Sequence, residues 1–141
     1  MLVNETQLRV QYYETDQMGV VHHSNYIRYF EIGRTEFMRR IGLSYKRLEN
    51  TGIAMPIVNV EVRYFSPAYY DDIICIKVSI KEAPKARATF YYEIHNEQGD
   101  LLANGSTTLA FVNKKTGRPQ RATETMAQAI YEYLNEKSGN F

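Results

Sequence analysis

The chain has one cysteine, no tryptophan and four prolines in 141 residues. A single cysteine, Cys75, excludes an internal disulfide, and no Cys/His cluster has the spacing of a zinc site. Cys75 sits in the apolar run Ile73–Val78, where a buried, inert thiol is expected. Neither sign of charge dominates: 17 Lys+Arg against 16 Asp+Glu leave a formal charge of +1. Such a balance offers no electrostatic footprint for nucleic acid, so no nucleic-acid partner is expected. No apolar stretch approaches the roughly 20 residues that span a membrane. The opening MLVNETQLRV has neither a basic start nor an apolar core, so no signal peptide is expected and the cytoplasm is the default location. Repeats, low-complexity tracts and long Pro/Gly/Ser linkers are absent too, which leaves a single domain over 1–141.

What is present suffices for a core. Hydrophobic residues make up 44%, with 12 Tyr and 6 Phe. A domain near this size buries roughly two-thirds of its unfolded surface. Many tyrosines should rim that core or face a partner, because their hydroxyls need hydrogen bonds.

Two periods divide the chain. Leu8, Val10 and Tyr12 alternate with polar neighbours and predict a first strand. Tyr26, Phe30, Gly33, Phe37 and Ile41 recur at helical spacing and predict a long helix over about 25–41, with Glu36 and Arg40 as an outward i,i+4 pair. A short helix is expected over 44–50. The period then changes to two. Strands are predicted over 57–65, 73–83, 86–95 and 101–113, with Pro67, Pro84 and Gly99 at their turns. A terminal helix is expected over about 123–136, with Thr125 and Gln128 in capping-box spacing. Strands in sequence with tight connections are antiparallel. One strand, a long helix and four more strands make an α+β domain. Gly33, in the middle of the helix face, would let a strand approach closely.

The most informative stretch is ETDQMGVVHHSNY, from Glu14 to Tyr26. Asp16 precedes Gly19 by three residues. Two valines and two histidines follow, then Ser24 and Asn25, both good helix N-caps. A carboxylate, a turn and a helix start therefore lie together. A helix start offers unpaired N–H groups and partial positive charge. An acid beside it can attack a carbonyl whose oxygen those groups hold. The bland alternative for Asp16 is an Asx turn. His23 is either a surface imidazole or a side chain at the reaction. Asn25 is a cap or a holder of water. Ser24 lacks the G-x-S-x-G context of a nucleophile.

These residues resemble a known family. Tyr13, Asp16, Gly19, Val20, Val21, His23 and Tyr26, continuing into Phe30, Glu31, Arg34, Thr35 and Glu36, are similar to the first motif of hotdog-fold acyl-CoA thioesterases, in the 4-hydroxybenzoyl-CoA thioesterase-like branch. The stretch VEVRYFSPAYYDD, with Tyr64, Pro67, Asp71 and Asp72, resembles the family's strand–Pro–turn–strand element. The resemblance covers about 7–120. It implies a curved antiparallel five-stranded sheet wrapped around one long central helix, and hydrolysis of acyl-CoA without a metal or other cofactor. It puts the catalytic acid on Asp16 and the oxyanion-donor N–H on His23. Gly19, Val21, Ser24 and Asn25 belong to the same helix-start neighbourhood. It also implies homodimers joined sheet edge to sheet edge, often paired into tetramers, with active sites at the interface. His22 stands where related members commonly carry an aromatic residue, and other branches place their acid on the helix, where this chain has Glu31 and Glu36. Tyr26 is a candidate substrate contact; Arg63, Lys85 and Arg87 are candidate partners for the CoA phosphates. Two alternatives stay open: an acyl-thioester dehydratase or hydratase using His22 or His23, and a non-catalytic acyl-CoA-binding module.

Overall fold

The computed structural model describes residues 2–139. It contains seven strands and three α-helices in the order β1 (Glu5–Arg9), α1 (Asn25–Arg40), α2 (Tyr45–Glu49), β2 (Ile53–Ala54), β3 (Ile57–Tyr64), β4 (Ile73–Ser79), β5 (Arg87–Asn96), β6 (Leu101–Asn113), β7 (Pro119–Gln120) and α3 (Glu124–Gly139). The five long strands form one antiparallel sheet in the order β1-β4-β5-β6-β3, and the two-residue strands β2 and β7 add to the end of β6. This is the hotdog architecture.

Several expectations shift. The first strand ends at Arg9, and Tyr12 lies in a 3₁₀ turn at Tyr12–Glu14 rather than in the strand. Its alternation is that of an exposed turn, since Tyr12 and Tyr13 both face solvent. Strands β3 and β4 follow each other in sequence but do not pair. Their connection, residues 65–72, is too long for a tight hairpin and crosses the end of the sheet. It starts with Phe65 and Ser66, both donating to Leu102 C=O. The capping serine or threonine of α3 is Thr123, whose Oγ1 accepts Met126 N–H, and not Thr125. Cys75 is half-buried rather than fully buried, and burial is the main cause of the rise in its thiol pKa.

Helix α1 lies on the sheet through Tyr26, Tyr29, Phe30, Gly33, Arg34, Phe37 and Met38, all buried. The face is wider than the predicted one and leaves Ile41 at its margin. The Phe30 ring stacks on Tyr92 of β5 at 4.4 Å, and Phe37 meets Phe90 of β5 and Tyr133 of α3 edge-on. Of these, the buried Phe30, Phe37, Phe90 and Tyr92 each stabilise the fold by about 1.5–3 kcal/mol. Arg34 enters this apolar layer as a charge. Its Nε donates to Tyr45 Oη at 2.6 Å, and its Nη1 donates to Tyr92 Oη at 3.1 Å and Thr107 Oγ1 at 3.2 Å. Outside, Glu36 pairs with both Arg39 and Arg40.

Candidate active site

The segment between β1 and α1 is a folded loop with its own bridges. Thr15 pairs with Val21, and Val20 pairs with Tyr69 beyond Pro67. The two sequence motifs are thus hydrogen-bonded neighbours. Asp16 opens a tight turn: its C=O accepts Gly19 N–H, and its N–H donates to Val20 C=O. Gly19 has φ of +79°, a left-handed backbone that only glycine adopts at little cost. Asp16 Oδ1 accepts Met18 N–H at 2.8 Å and, at 3.4 Å, Val20 N–H. The Asx turn is therefore real. It engages Oδ1, while Oδ2 carries no hydrogen bond among the described residues.

The start of α1 is organised differently from the expectation. Ser24 occupies the N-cap position with helical angles and does not cap. Its Oγ lies 2.8 Å from His22 Nδ1, which also accepts Ser24 N–H. Asn25 is not a cap either; its Nδ2 donates to Glu14 C=O at 2.9 Å. Both polar side chains are drawn to nearby loop groups, and this leaves helix-start N–H groups unserved by side chains. Asn25 N–H donates to His22 C=O, and Tyr26 N–H reaches His23 C=O. Val21 N–H donates to Ala68 C=O. The His23 N–H alone of residues 21–26 has no acceptor among the described residues.

Asp16, Val20, Val21, His23 and Tyr26 line one cleft of about 370 Å³ with Tyr64, Phe65, Ser66 and Pro67. Tyr64 Oη donates to His23 C=O at 3.1 Å and meets the Tyr26 ring edge-on at 5.1 Å. The Tyr26 hydroxyl is pushed above its ordinary pKa, first by burial. The His23 ring lies against that of His22, 4.1 Å apart, and both face solvent.

Not every candidate joins this cleft. Arg63 lies in a different hollow with Glu61, Tyr91 and Glu93. Lys85 is exposed at the turn before β5 and Arg87 at the strand's first residue. Glu31 and Glu36 line a depression on the outer side of α1 with Arg28 and Thr35. His95 is a surface partner of Glu93, at 2.9 Å. A larger hollow beside α3, about 660 Å³, is lined by Ala83, Glu124, Thr125, Gln128 and Tyr131 and brings together no nucleophile and donor. Sequence reasoning passed over Glu14, Arg28 and the side chain of Tyr64. No local period marks them, because their partners lie 14 residues away for Glu14–Arg28 and 41 for Tyr64–His23.

Comparison with known proteins places the chain in a family. Residues 10–130 match the model of the thioesterase-like superfamily. YneP of Bacillus subtilis is 30% identical over 119 residues, covering 84% of this chain and 86% of that protein. The acyl-CoA thioester hydrolase YbgC of Escherichia coli is 29% identical over 113 residues, covering 80% and 84%. The crystal structure of a DHNA-CoA thioesterase from Staphylococcus aureus superposes with a TM-score of 0.89 at 30% identity, over 98% of this chain and 95% of that one. The chain therefore belongs to the thioesterase-like superfamily and has the hotdog fold of its thioesterases.

Proposed function

We propose that the protein hydrolyses acyl-CoA thioesters to a free acid and CoA, with Asp16 as the acid group and the His23 main-chain N–H as the oxyanion donor. The observation that carries this reading is that His23, whose main-chain N–H has no acceptor among the described residues, lines the same cleft as Asp16. Hydrolysis passes through a tetrahedral oxyanion, and an N–H that spends no hydrogen bond elsewhere is free to stabilise it. One such donor is worth about 10²–10³ in rate. Gly19 sets the turn that presents Asp16. Asp16 works either by attacking the carbonyl carbon, so that CoA thiolate leaves and water cleaves the mixed anhydride, or by deprotonating the attacking water. Neither route calls for a cofactor. Activity of YbgC as a thioester hydrolase supports the substrate class.

A cleft of about 370 Å³ is small for an acyl-pantetheine chain, so the rest of the groove comes from a second copy. Strand β3 is the joining edge. It pairs with β6 on one side only, and Ile57, Val58, Val60 and Tyr64 are exposed along it. Arg63, Lys85 and Arg87 are the proposed cations for the CoA phosphates. The cytoplasm is the proposed location; no described helix is long and apolar enough to cross a membrane.

The test follows free thiol from short, medium, long and aromatic acyl-CoAs, with wild-type protein and Asp16→Asn. Asparagine keeps the Oδ1 acceptor for Met18 N–H, so the turn survives. Turnover should fall about 100-fold or more. A wild-type protein that releases no thiol from any of them defeats hydrolysis; an Asp16→Asn protein as fast as its parent moves the acid elsewhere.

A further inference from the structure

We infer that Glu14, buried through Arg28 and anchored to Asn25, is a positioning residue that holds the His22–His23 peptide where its N–H meets the thioester oxygen; this rests on the functional reading above.

Glu14 is 2% exposed although it is charged and lies in a loop two residues before Asp16. Burying a carboxylate is costly unless it is paired and hydrogen-bonded. Glu14 is both. Its Oε2 accepts Arg28 Nη2 at 2.7 Å, and its Oε1 accepts Gln11 N–H at 2.7 Å. The Arg28 side chain is about half exposed, so the pair straddles the surface of α1. The carboxylate therefore ties the exit of β1 to the first turn of α1.

The main chain of the same residue does the other half. Glu14 C=O accepts both His22 N–H and Asn25 Nδ2, each at 2.9 Å. His22 C=O in turn accepts Asn25 N–H at 3.0 Å. The peptide that carries the His23 N–H is thus held at its carbonyl, and the residue before it is held at its amide. The Tyr64 hydroxyl fixes the next carbonyl, that of His23. Glu14 is where the chain entering the site and the chain leaving it are joined. A shift of about 1 Å at a reacting group can cost on the order of 100-fold in rate.

The experiment compares wild-type protein with Glu14→Gln, Arg28→Met and Arg28→Lys. It measures kcat and KM for thiol release, and amide exchange at His22 in the ligand-free protein by NMR. Expected for Glu14→Gln and Arg28→Met is a kcat lower by about tenfold or more, with KM within about threefold. His22 exchange should quicken while Ile94 and Leu102 in the core strands keep their rates. Arg28→Lys, which keeps a cation, should recover most of the kcat. If Glu14→Gln does not fold, Arg28→Met carries the test alone. An active wild-type protein whose variants keep kcat within about twofold overturns the inference whatever the exchange shows. If wild-type protein hydrolyses nothing, the functional reading falls by itself. Exchange then decides for Glu14: quickened His22 supports its hold on the peptide, and unchanged His22 sinks it.

Discussion

Gly33 of α1 lies so close to Ile76 of β4 that a Cβ on it would stand 2.6 Å from Ile76 Cγ2 and 3.1 Å from Val78 Cγ2. The helix backbone rests directly on the strand's side chains at this point, with no side chain of its own between. Gly33→Ala would gain helix propensity of up to about 1 kcal/mol. It would also force the helix off the strand or both valine and isoleucine out of their rotamers, at a cost of about 1–3 kcal/mol. The expected outcome is net destabilisation of about 1–2 kcal/mol in urea unfolding. A variant as stable as its parent would show that helix and strand separate freely here.

Arg34→Lys should not behave as a conservative change. The guanidinium serves hydroxyls on two sides, Tyr45 through Nε and Tyr92 with Thr107 through Nη1. A lysine has one compact ammonium and cannot span them. The Tyr92–Thr107 bond, at 2.6 Å, survives without it. Loss of about 2 kcal/mol or more is expected, read as a lower urea midpoint. An unchanged midpoint would mean that the Arg34 fork adds nothing to the fold.

Alkali should unfold the protein through its buried phenols. Tyr29, Tyr26, Tyr45 and Tyr92 all have pKa values raised above 10.0, and burial is the first cause in each. At Tyr29 the charge of Glu14 adds to burial; at Tyr45 and Tyr92 the nearby Arg34 opposes it. The folded-state values lie above the unfolded ones, so the unfolded chain gives up these protons first. Their contribution to stability is fully present below about pH 10 and is lost as pH rises towards the folded-state values. The urea midpoint should fall steeply above about pH 10, with tyrosinate absorbance rising together with loss of helical circular dichroism. Complete ionisation of the 12 tyrosines in a still-folded protein would contradict this.

Val60→Lys should split the assembly. Val60 is exposed on β3, opposite Thr107 on its paired side and with nothing beyond its other edge among the described residues. Wild-type protein should sediment as a dimer or tetramer. A charged lysine buried at the joining edge of each copy should weaken association at least about tenfold, on the order of 1.4 kcal/mol. A wild-type protein that is monomeric at micromolar concentration would remove the edge-to-edge proposal.

Local features were legible in the sequence. The bounds of α1 fell at Asn25–Arg40 against an expected 25–41, because the helical period lies within the segment itself. Strand β6 was found to the residue, since turn residues bound it, Gly99 before it and the loop that starts at Lys114 after it. The turn between Asp16 and Gly19 was visible for the same reason. That Ser24 and Asn25 do not cap α1 was not: each side chain has a competing partner, His22 for one and Glu14 for the other. Gly105 was passed over too, though a Cβ there would stand 2.1 Å from Glu61 C=O and 2.8 Å from Phe30 Cε2.

Periodicity and turn chemistry are properties of neighbours along the chain, so residue order alone was enough to specify the helices, most strands and the loop that bears Asp16. Which strands lie side by side, why Arg34 can be buried and what holds Glu14 were settled by folding. Arg34 finds acceptors 58 and 73 residues away, and Val20 meets Tyr69 across the end of the sheet. A buried charge is tolerable only once such distant partners have arrived, and no local pattern announces them.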